Sequence, residues 1–150
     1  MQEFRIYRPN STGTGSAFSL QLSYKKEEKY NKYLVFLIGA KQIPSDNDNA
    51  KFDWEKALTV KMDLVDLGEF LAVLERRKDH LGFKGSLYHE SKAGNKIIKL
   101  DKTDNGYNLS ISAQDLEKKS LGQVYAALGH GDASILCTLC KRACERLLDW

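Results

Sequence analysis

Cys137, Cys140 and Cys144 carry the most reactive side chains in the chain, and they fall at i, i+3 and i+7 of what reads as its last helix, so all three share one face. With His130 nearby they could in principle meet a metal, but a structural zinc wants four ligands converging tetrahedrally, usually from two separate short knuckles rather than from one rigid helix. Small, soft side chains burying a helix face explain the spacing as well. His80, His89 and His130 are scattered, with no carboxylate or serine at the spacing of a triad. The stretch Gly13 to Gly15 is not followed by the Lys-Ser or Lys-Thr of a phosphate loop, and no dinucleotide fingerprint precedes a helix. The reading is of a protein with no catalytic residues, no metal and no cofactor: not an enzyme.

Non-covalent chemistry remains. Lys25, Lys56 and Lys61 fall on or at the ends of candidate strands in the first half, and Lys84, Lys96 and Lys99 do so in the second. They are interleaved with Tyr7, Trp54 and Tyr88, while Ser19, Gln21, Ser23, Ser110 and Ser112 occupy the remaining wet positions. The same lysines and serines are also what an ordinary solvated strand face displays. Trp54, an indole between Asp53 and Glu55, has core packing as its competing use.

The elements that must position these residues are legible by period. Phe4 to Arg8 reads as a short strand, followed by the turn-rich Asn10 to Gly15. Phe18, Leu20, Leu22 and Tyr24 alternate with Ser19, Gln21, Ser23 and Lys25, as in a strand with one buried and one wet face. Lys25 to Lys32 is expected as a hairpin loop, Tyr33 to Ala40 as a strand covered on both faces, Pro44 to Asn49 as a polar loop, and Phe52 to Met62 as a fourth strand. Asp63 then caps a helix carrying Leu64, Leu67, Phe70, Leu71 and Leu74, with Arg76, Arg77 and Lys78 at its C-terminal end. The order returns with strands expected at Phe83 to His89, Asn95 to Asp101, Tyr107 to Ala113 and Leu121 to Leu128. Asn105-Gly106 is expected to form a hairpin turn because both tolerate positive φ. A final helix, N-capped by Asp132, runs to Trp150. Two four-stranded antiparallel sheets, each followed by a helix (ββββα twice), make an α+β fold. One domain spans 1–150, with repeat units about 1–79 and 80–150.

Composition narrows the partners. The 150 residues are 42% hydrophobic and 29% charged, which suits a folded chain rather than a disordered one. A net charge of +3 is too small for a protein that neutralises many phosphates over its whole surface, so any anion-binding surface must be local. No apolar run is long enough for a membrane helix, and Glu3, Arg5 and Arg8 stand where a signal peptide would be apolar. Three clustered cysteines are no disulfide framework. A soluble, intracellular protein in a reducing compartment is expected.

The segment Lys51-Phe52-Asp53-Trp54-Glu55-Lys56 resembles the aromatic-Asp-Trp-Glu-Lys strand start of the plant Whirly proteins, and Asp66, Leu67 and Gly68 follow at the place of that family's helix motif. Lys96 to Leu100, then Asp104, Gly106, Tyr107, Leu109, Ser110 and Ile111, resemble its hairpin with a Gly-aromatic pair, and the last helix resembles one that also closes near a tryptophan. The kinetoplastid mitochondrial guide-RNA-binding proteins of the same fold are a more distant likeness. The resemblance covers 51–150 by motif and 1–50 by strand order. The family's Lys-Gly-Lys-Ala-Ala-Leu type motif is absent from residues 1–40, so assembly and DNA contacts through it do not carry over. The resemblance implies a binder of single-stranded DNA with little sequence preference, in DNA maintenance or transcription regulation, usually a homotetramer. Single-stranded or guide RNA is the near alternative ligand, and an oligomeric β-rich scaffold for protein partners is the alternative of another class. Under that implication Tyr7, Ser19, Gln21, Ser23, Lys25, Trp54, Lys56, Lys61, Lys84, Tyr88, Lys96, Lys99 and Ser110 are the candidate contacts. Single-strand binding needs cations along the phosphates and rings under the unstacked bases.

Overall fold

The computed structural model describes every residue except Glu28, Tyr30, Asn47 and Trp150, and Asn31 by its backbone alone. The Trp150 end of the last helix, and parts of the loops expected at 25–32 and 44–49, therefore lie outside the described residues. The first sheet is an antiparallel meander of β1 (Gln2–Arg8), β2 (Ser16–Lys26) and β3 (Asn31–Ile43), with β4 (Lys51–Phe52) and β5 (Leu58–Met62) both along the far edge of β3. After α1 (Leu64–Leu74) comes the second meander, β6 (Leu87–Ser91), β7 (Gly94–Thr103), β8 (Gly106–Gln114) and β9 (Ser120–Leu128), and then α2 (His130–Leu148). With β4 and β5 counted as one interrupted strand along β3, the ββββα order thus occurs twice.

Register sorts the side chains. In the first sheet Ile6, Phe18 and Gly39 are aligned, as are Phe4, Leu20, Leu37 and Val60, and this set faces inward. In the second sheet Leu87, Ile98, Ile111 and Val124 form one inward row. Both inner faces join Leu67, Phe70 and Val73 of α1 and Leu136, Cys140 and Ala143 of α2 in one apolar cluster. Each fully buried aliphatic side chain contributes roughly 1.5–3 kcal/mol. Gly39 lets the sheets approach closely, since a Cβ there would stand 2.9 Å from Phe18 Cε1 and 3.1 Å from Val124 Cβ.

Several local expectations change. The β2–β3 hairpin pairs as far as Lys26 with Asn31, beyond the loop expected from Lys25 to Lys32, and the rings of Tyr24 and Tyr33 meet across it with centroids 5.2 Å apart. The fourth strand is broken, because the Asp53 carboxylate accepts from Lys56 N–H at 3.2 Å and turns the chain out of the ladder. Phe83 to Ser86 is turn rather than strand: Glu69 accepts from Gly82 N–H at 2.9 Å and pairs with Lys78, which ties this loop back to α1, and Phe83 stands fully in solvent.

The turn before β8 is Asp104-Asn105, neither with positive φ. Gly106 is the residue that needs one, at 153°, and a Cβ there would stand 2.0 Å from Leu128 O. Arg76 to Lys78 lie beyond the helix, whose C-cap is Glu75. Arg76 takes φ 60° and its N–H bonds Val73 O while Arg77 N–H bonds Ala72 O, a Schellman ending.

Asp63 is the N-cap of α1, reciprocally bonded with Asp66. In α2, however, the N-cap is Gly129, and Asp132 sits at N3, accepting from Gly129 N–H at 2.9 Å. Asp132 thus corresponds to Asp66, not to Asp63.

Asp63→Ala should lower the unfolding free energy by about 1 kcal/mol, and Gly39→Ala by about 1–3 kcal/mol through overpacking between the sheets. Urea denaturation followed by circular dichroism measures both; a Gly39→Ala protein as stable as the parent would contradict the close approach described.

Candidate nucleic-acid interface

With both helices on the inner side, each sheet turns its other face outward. On the first sheet that face holds Glu3, Arg5 and Tyr7 of β1, Ala17, Ser19, Gln21 and Ser23 of β2, Phe36 and Ile38 of β3, and Thr59 and Lys61 of β5. The turn that breaks the fourth strand folds against it. Trp54 lies with its ring 4.6 Å from the Arg5 guanidinium carbon, and Phe52 packs on Tyr7 with centroids 5.5 Å apart. A cation–π pair of this kind is worth roughly 0.5–1 kcal/mol at an exposed site.

Glu3 completes the cluster, accepting from Arg5 at 3.1 Å, Ser19 at 3.2 Å and Gln21 at 3.1 Å. Desolvation works to raise the Glu3 carboxyl, but these donors outweigh it and hold it below its ordinary value. The centre of this face is therefore internally neutralised, and its free cation is Lys61 at the β5 edge, which has no partner among the described residues.

The outer face of the second sheet is more open. Tyr88, Ile97, Ser112 and Gln123 form one row across it, and Lys99, Ser110 and Tyr125 form the next. Tyr88 and Tyr125 are 49% and 52% exposed, so both rings offer a face to solvent. Tyr125 donates its hydroxyl to Asn108 Oδ1 at 2.9 Å, which fixes its ring. Among the described residues Lys99 has no ion-pair partner, although Glu90 and Asp101 share its face.

The sequence-derived candidates thus divide. Tyr7, Gln21, Ser23, Trp54 and Lys61 come together on one outer face, and Tyr88 and Lys99 on the other. Lys25 stands near the hairpin tip, 3.6 Å from Glu27. Lys56 lies in the turn after β4 and Lys84 in the turn before β6, both exposed and neither on a strand. Three expectations of wet positions are corrected. Ser19 is completely buried and spends its hydroxyl on Glu3; Ser110 is 6% exposed, in line between Lys99 and Tyr125. Lys96 belongs to the inner parity of β7 and crosses to the first sheet, donating to Thr59 O at 2.6 Å. Sequence reasoning missed Tyr125, whose alternation with Val124 and Ala126 marks it as outward, and Arg5, whose role depends on Trp54.

Elsewhere, the fold joins His89 Nε2 to the buried Asp66 carboxylate at 3.1 Å, and burial pushes that carboxyl up from its ordinary value. Among the described residues no cluster of three or more His, Cys, Asp or Glu has the geometry of a metal site. Among the described residues no helix is long and apolar enough to cross a membrane.

Four solved structures are among those that share this architecture. WHY3 from Arabidopsis thaliana superposes with a TM-score of 0.75 at 13% identity, covering 100% of this chain and 90% of its own. The chain has the Whirly fold. The plant transcriptional regulator PBF-2 follows at 0.72 and 14% identity, with coverage of 99% and 83%. The Trypanosoma brucei MRP1/MRP2 structure gives 0.62 at 17%, with coverage of 96% and 92%, and a guide-RNA-binding protein complex solved with its guide RNA gives 0.59 at 14%, with coverage of 94% and 88%. Neither a family model nor a curated protein sequence matches the chain. The Whirly likeness is therefore one of backbone architecture, held at identities where residue roles do not transfer.

Cys140 is 1% exposed and its thiol is pushed up to about 12, first by burial and then by the neighbouring Cys144 and Cys137. With a folded value raised above the unfolded one, the thiol stays protonated through neutral pH. Iodoacetamide at pH 8 should alkylate Cys137 and Cys144 well before Cys140, read by peptide mass spectrometry; equal labelling in the native protein would refute that burial.

Proposed function

We propose that this protein is a non-enzymatic binder of single-stranded nucleic acid, with single-stranded DNA favoured, little sequence preference, and a role in DNA maintenance or transcription regulation. The observation that carries the reading is the pair of helix-free outer faces, on which half-exposed rings stand beside lysines that no carboxylate neutralises. A duplex keeps its bases stacked inside and has nothing to lay on Tyr88 or Trp54, whereas an unpaired strand gains roughly 1–3 kcal/mol for each base it stacks on a ring. The modest net charge agrees with few phosphate contacts, each adding about 0.7 to the salt slope for a single strand. Tyr7, Gln21, Ser23, Trp54, Lys56 and Lys61 are the contacts proposed for the first sheet and Lys84, Tyr88 and Lys99 for the second, with Lys25 at the hairpin tip.

Guide RNA is the second reading, favoured by the likeness to the guide-RNA-binding complex. Discrimination would rest on contacts to the 2′-hydroxyl. A homotetramer is proposed as the working assembly, with the apolar cleft around Leu34, Leu64, Val65 and Leu147 as a surface that a second copy would cover. Val65 is 71% exposed at its rim, and an exposed apolar patch of this kind marks association sites.

Fluorescence anisotropy with a labelled single-stranded oligonucleotide of about 30 nucleotides should show tighter binding than its duplex, with log affinity falling linearly as log salt rises. Equal affinity for both forms, or none at low salt, would defeat the proposal. Trp54→Ala with Lys61→Ala should weaken binding by about tenfold or more while the far-ultraviolet dichroism of the fold persists. Matched DNA and RNA competitors against one probe decide between the two ligands. Light scattering on Val65→Glu should show a smaller assembly than the parent.

A further inference from the structure

Where β9 crosses the end of the first sheet, a cleft of about 370 Å³ opens between the β1–β2 loop and the second sheet, lined by Thr14, Lys41, Gln42, Gln123 and Tyr125 among others. Sites of about 300–1,000 Å³ hold small-molecule-sized ligands. One wall is held rigid by the Gln42 side chain: its Oε1 accepts from Asn10 N–H at 3.0 Å and Gly15 N–H at 3.1 Å, and its Nε2 donates to Asn10 O at 3.2 Å. Gly15 leaves no room for a Cβ, which would stand 2.2 Å from Arg8 O. A loop of small polar residues thereby keeps one shape.

The opposite wall includes Tyr125 at the β9 edge, pinned at both ends, with its ring over the outer face of the second sheet. Its carbonyl accepts from the Ser16 hydroxyl and its phenol donates to Asn108. Gln123, two residues earlier on the same outward face, is exposed, and among the described residues nothing bonds its carboxamide. Charge comes from Lys41, whose ammonium lies 3.7 Å from where a Cβ on Gly122 would be. Gly122 holds φ 129°, a backbone state that would strain any other residue there, so the space beside the ammonium stays open. The Lys41 ammonium has no carboxylate or hydrogen-bond partner among the described residues, and no acid lines the cleft. The adjoining cleft on the far side of Gln42 includes Asp48 and lacks that character.

We propose that this cleft seats one nucleotide of a bound single strand, with its phosphate on Lys41, its base on the Tyr125 ring and the base edge at the Gln123 carboxamide. The seat extends the single-strand reading above and rests on it: a strand lying over Tyr88 and Lys99 would leave the second sheet across Tyr125 and turn into the seam. It also joins the two sheets in one path, since Lys41 belongs to the first and Tyr125 to the second.

The test is Lys41→Gln in the full chain, an exposed position whose change does not threaten folding. A 30-nucleotide oligothymidylate carrying 5-iodouracil is photo-cross-linked to parent and variant, the attached peptides are identified by mass spectrometry, and the salt dependence of binding is measured in parallel. The seat predicts cross-links at both Tyr125 and Tyr88 in the parent. In the variant, yield at Tyr125 should fall severalfold with Tyr88 unchanged, and the salt slope should shrink by about 0.7. If the parent binds while the variant keeps the same slope and the same Tyr125 yield, the seat is overturned and the sheet-face reading stands. If the parent fails to bind the oligonucleotide at low salt, both fall together.

Discussion

The burial of both inner sheet faces in one shared core is the constraint on which the other features depend. Because α1 and α2 are spent on that core, nothing in the described chain covers the opposite faces as a layer. Each sheet therefore has to be amphipathic, and antiparallel ladders tolerate this because alternate side chains leave the pleat on opposite sides. The close approach at Gly39 is the tightest expression of the same demand, with Phe18 and Val124 meeting across a residue that has no side chain.

Electrostatics then separates two faces that are similar in shape. The first sheet's face is largely occupied with itself: Glu3 gathers Arg5, Ser19 and Gln21, and Trp54 lies across Arg5. A ligand there would compete with contacts already made. On the second face Tyr88, Lys99 and Gln123 have fewer internal obligations, and the phenol of Tyr125 is held by a single hydrogen bond that leaves its ring half in solvent. A small net charge is sufficient for such a protein if its unneutralised cations stand beside its exposed rings, since attraction to phosphate is local at physiological salt, where the screening length is about 8 Å.

The repeated unit is deeper in backbone than in side chains. Asp66 and Asp132 perform the same task, each accepting the N–H of its helix's N-cap residue, yet one N-cap is an aspartate and the other a glycine. Conserving the bond while changing the residue is possible because a backbone N–H, not a side chain, is the donor. The low identities to solved structures of the same architecture are consistent with this: alternation and capping specify the fold with few obligatory residues.

What the sequence by itself determined is everything written at short range. Period-two alternation in Phe18 to Lys25, the N-cap at Asp63 and the helical spacing of Leu136, Cys140 and Ala143 are local properties, and the ββββα order followed from them. The Whirly likeness was readable in the same way, from the Phe52-Asp53-Trp54 start and the Gly106-Tyr107 pair. Tertiary structure decided which polar positions on a nominally wet face are in fact covered. Ser19 is inaccessible because β1 and the turn at Asp53 bring Glu3 and Trp54 onto that face, and Lys96 turns inward because a second sheet offers it the Thr59 carbonyl. The placing of Lys41 and Tyr125 along one cleft, and the pairing of His89 with Asp66, were likewise invisible. Alternation assigns a side chain to one of two faces, but what stands opposite that face is set by chain segments tens of residues away, and no local pattern encodes their approach.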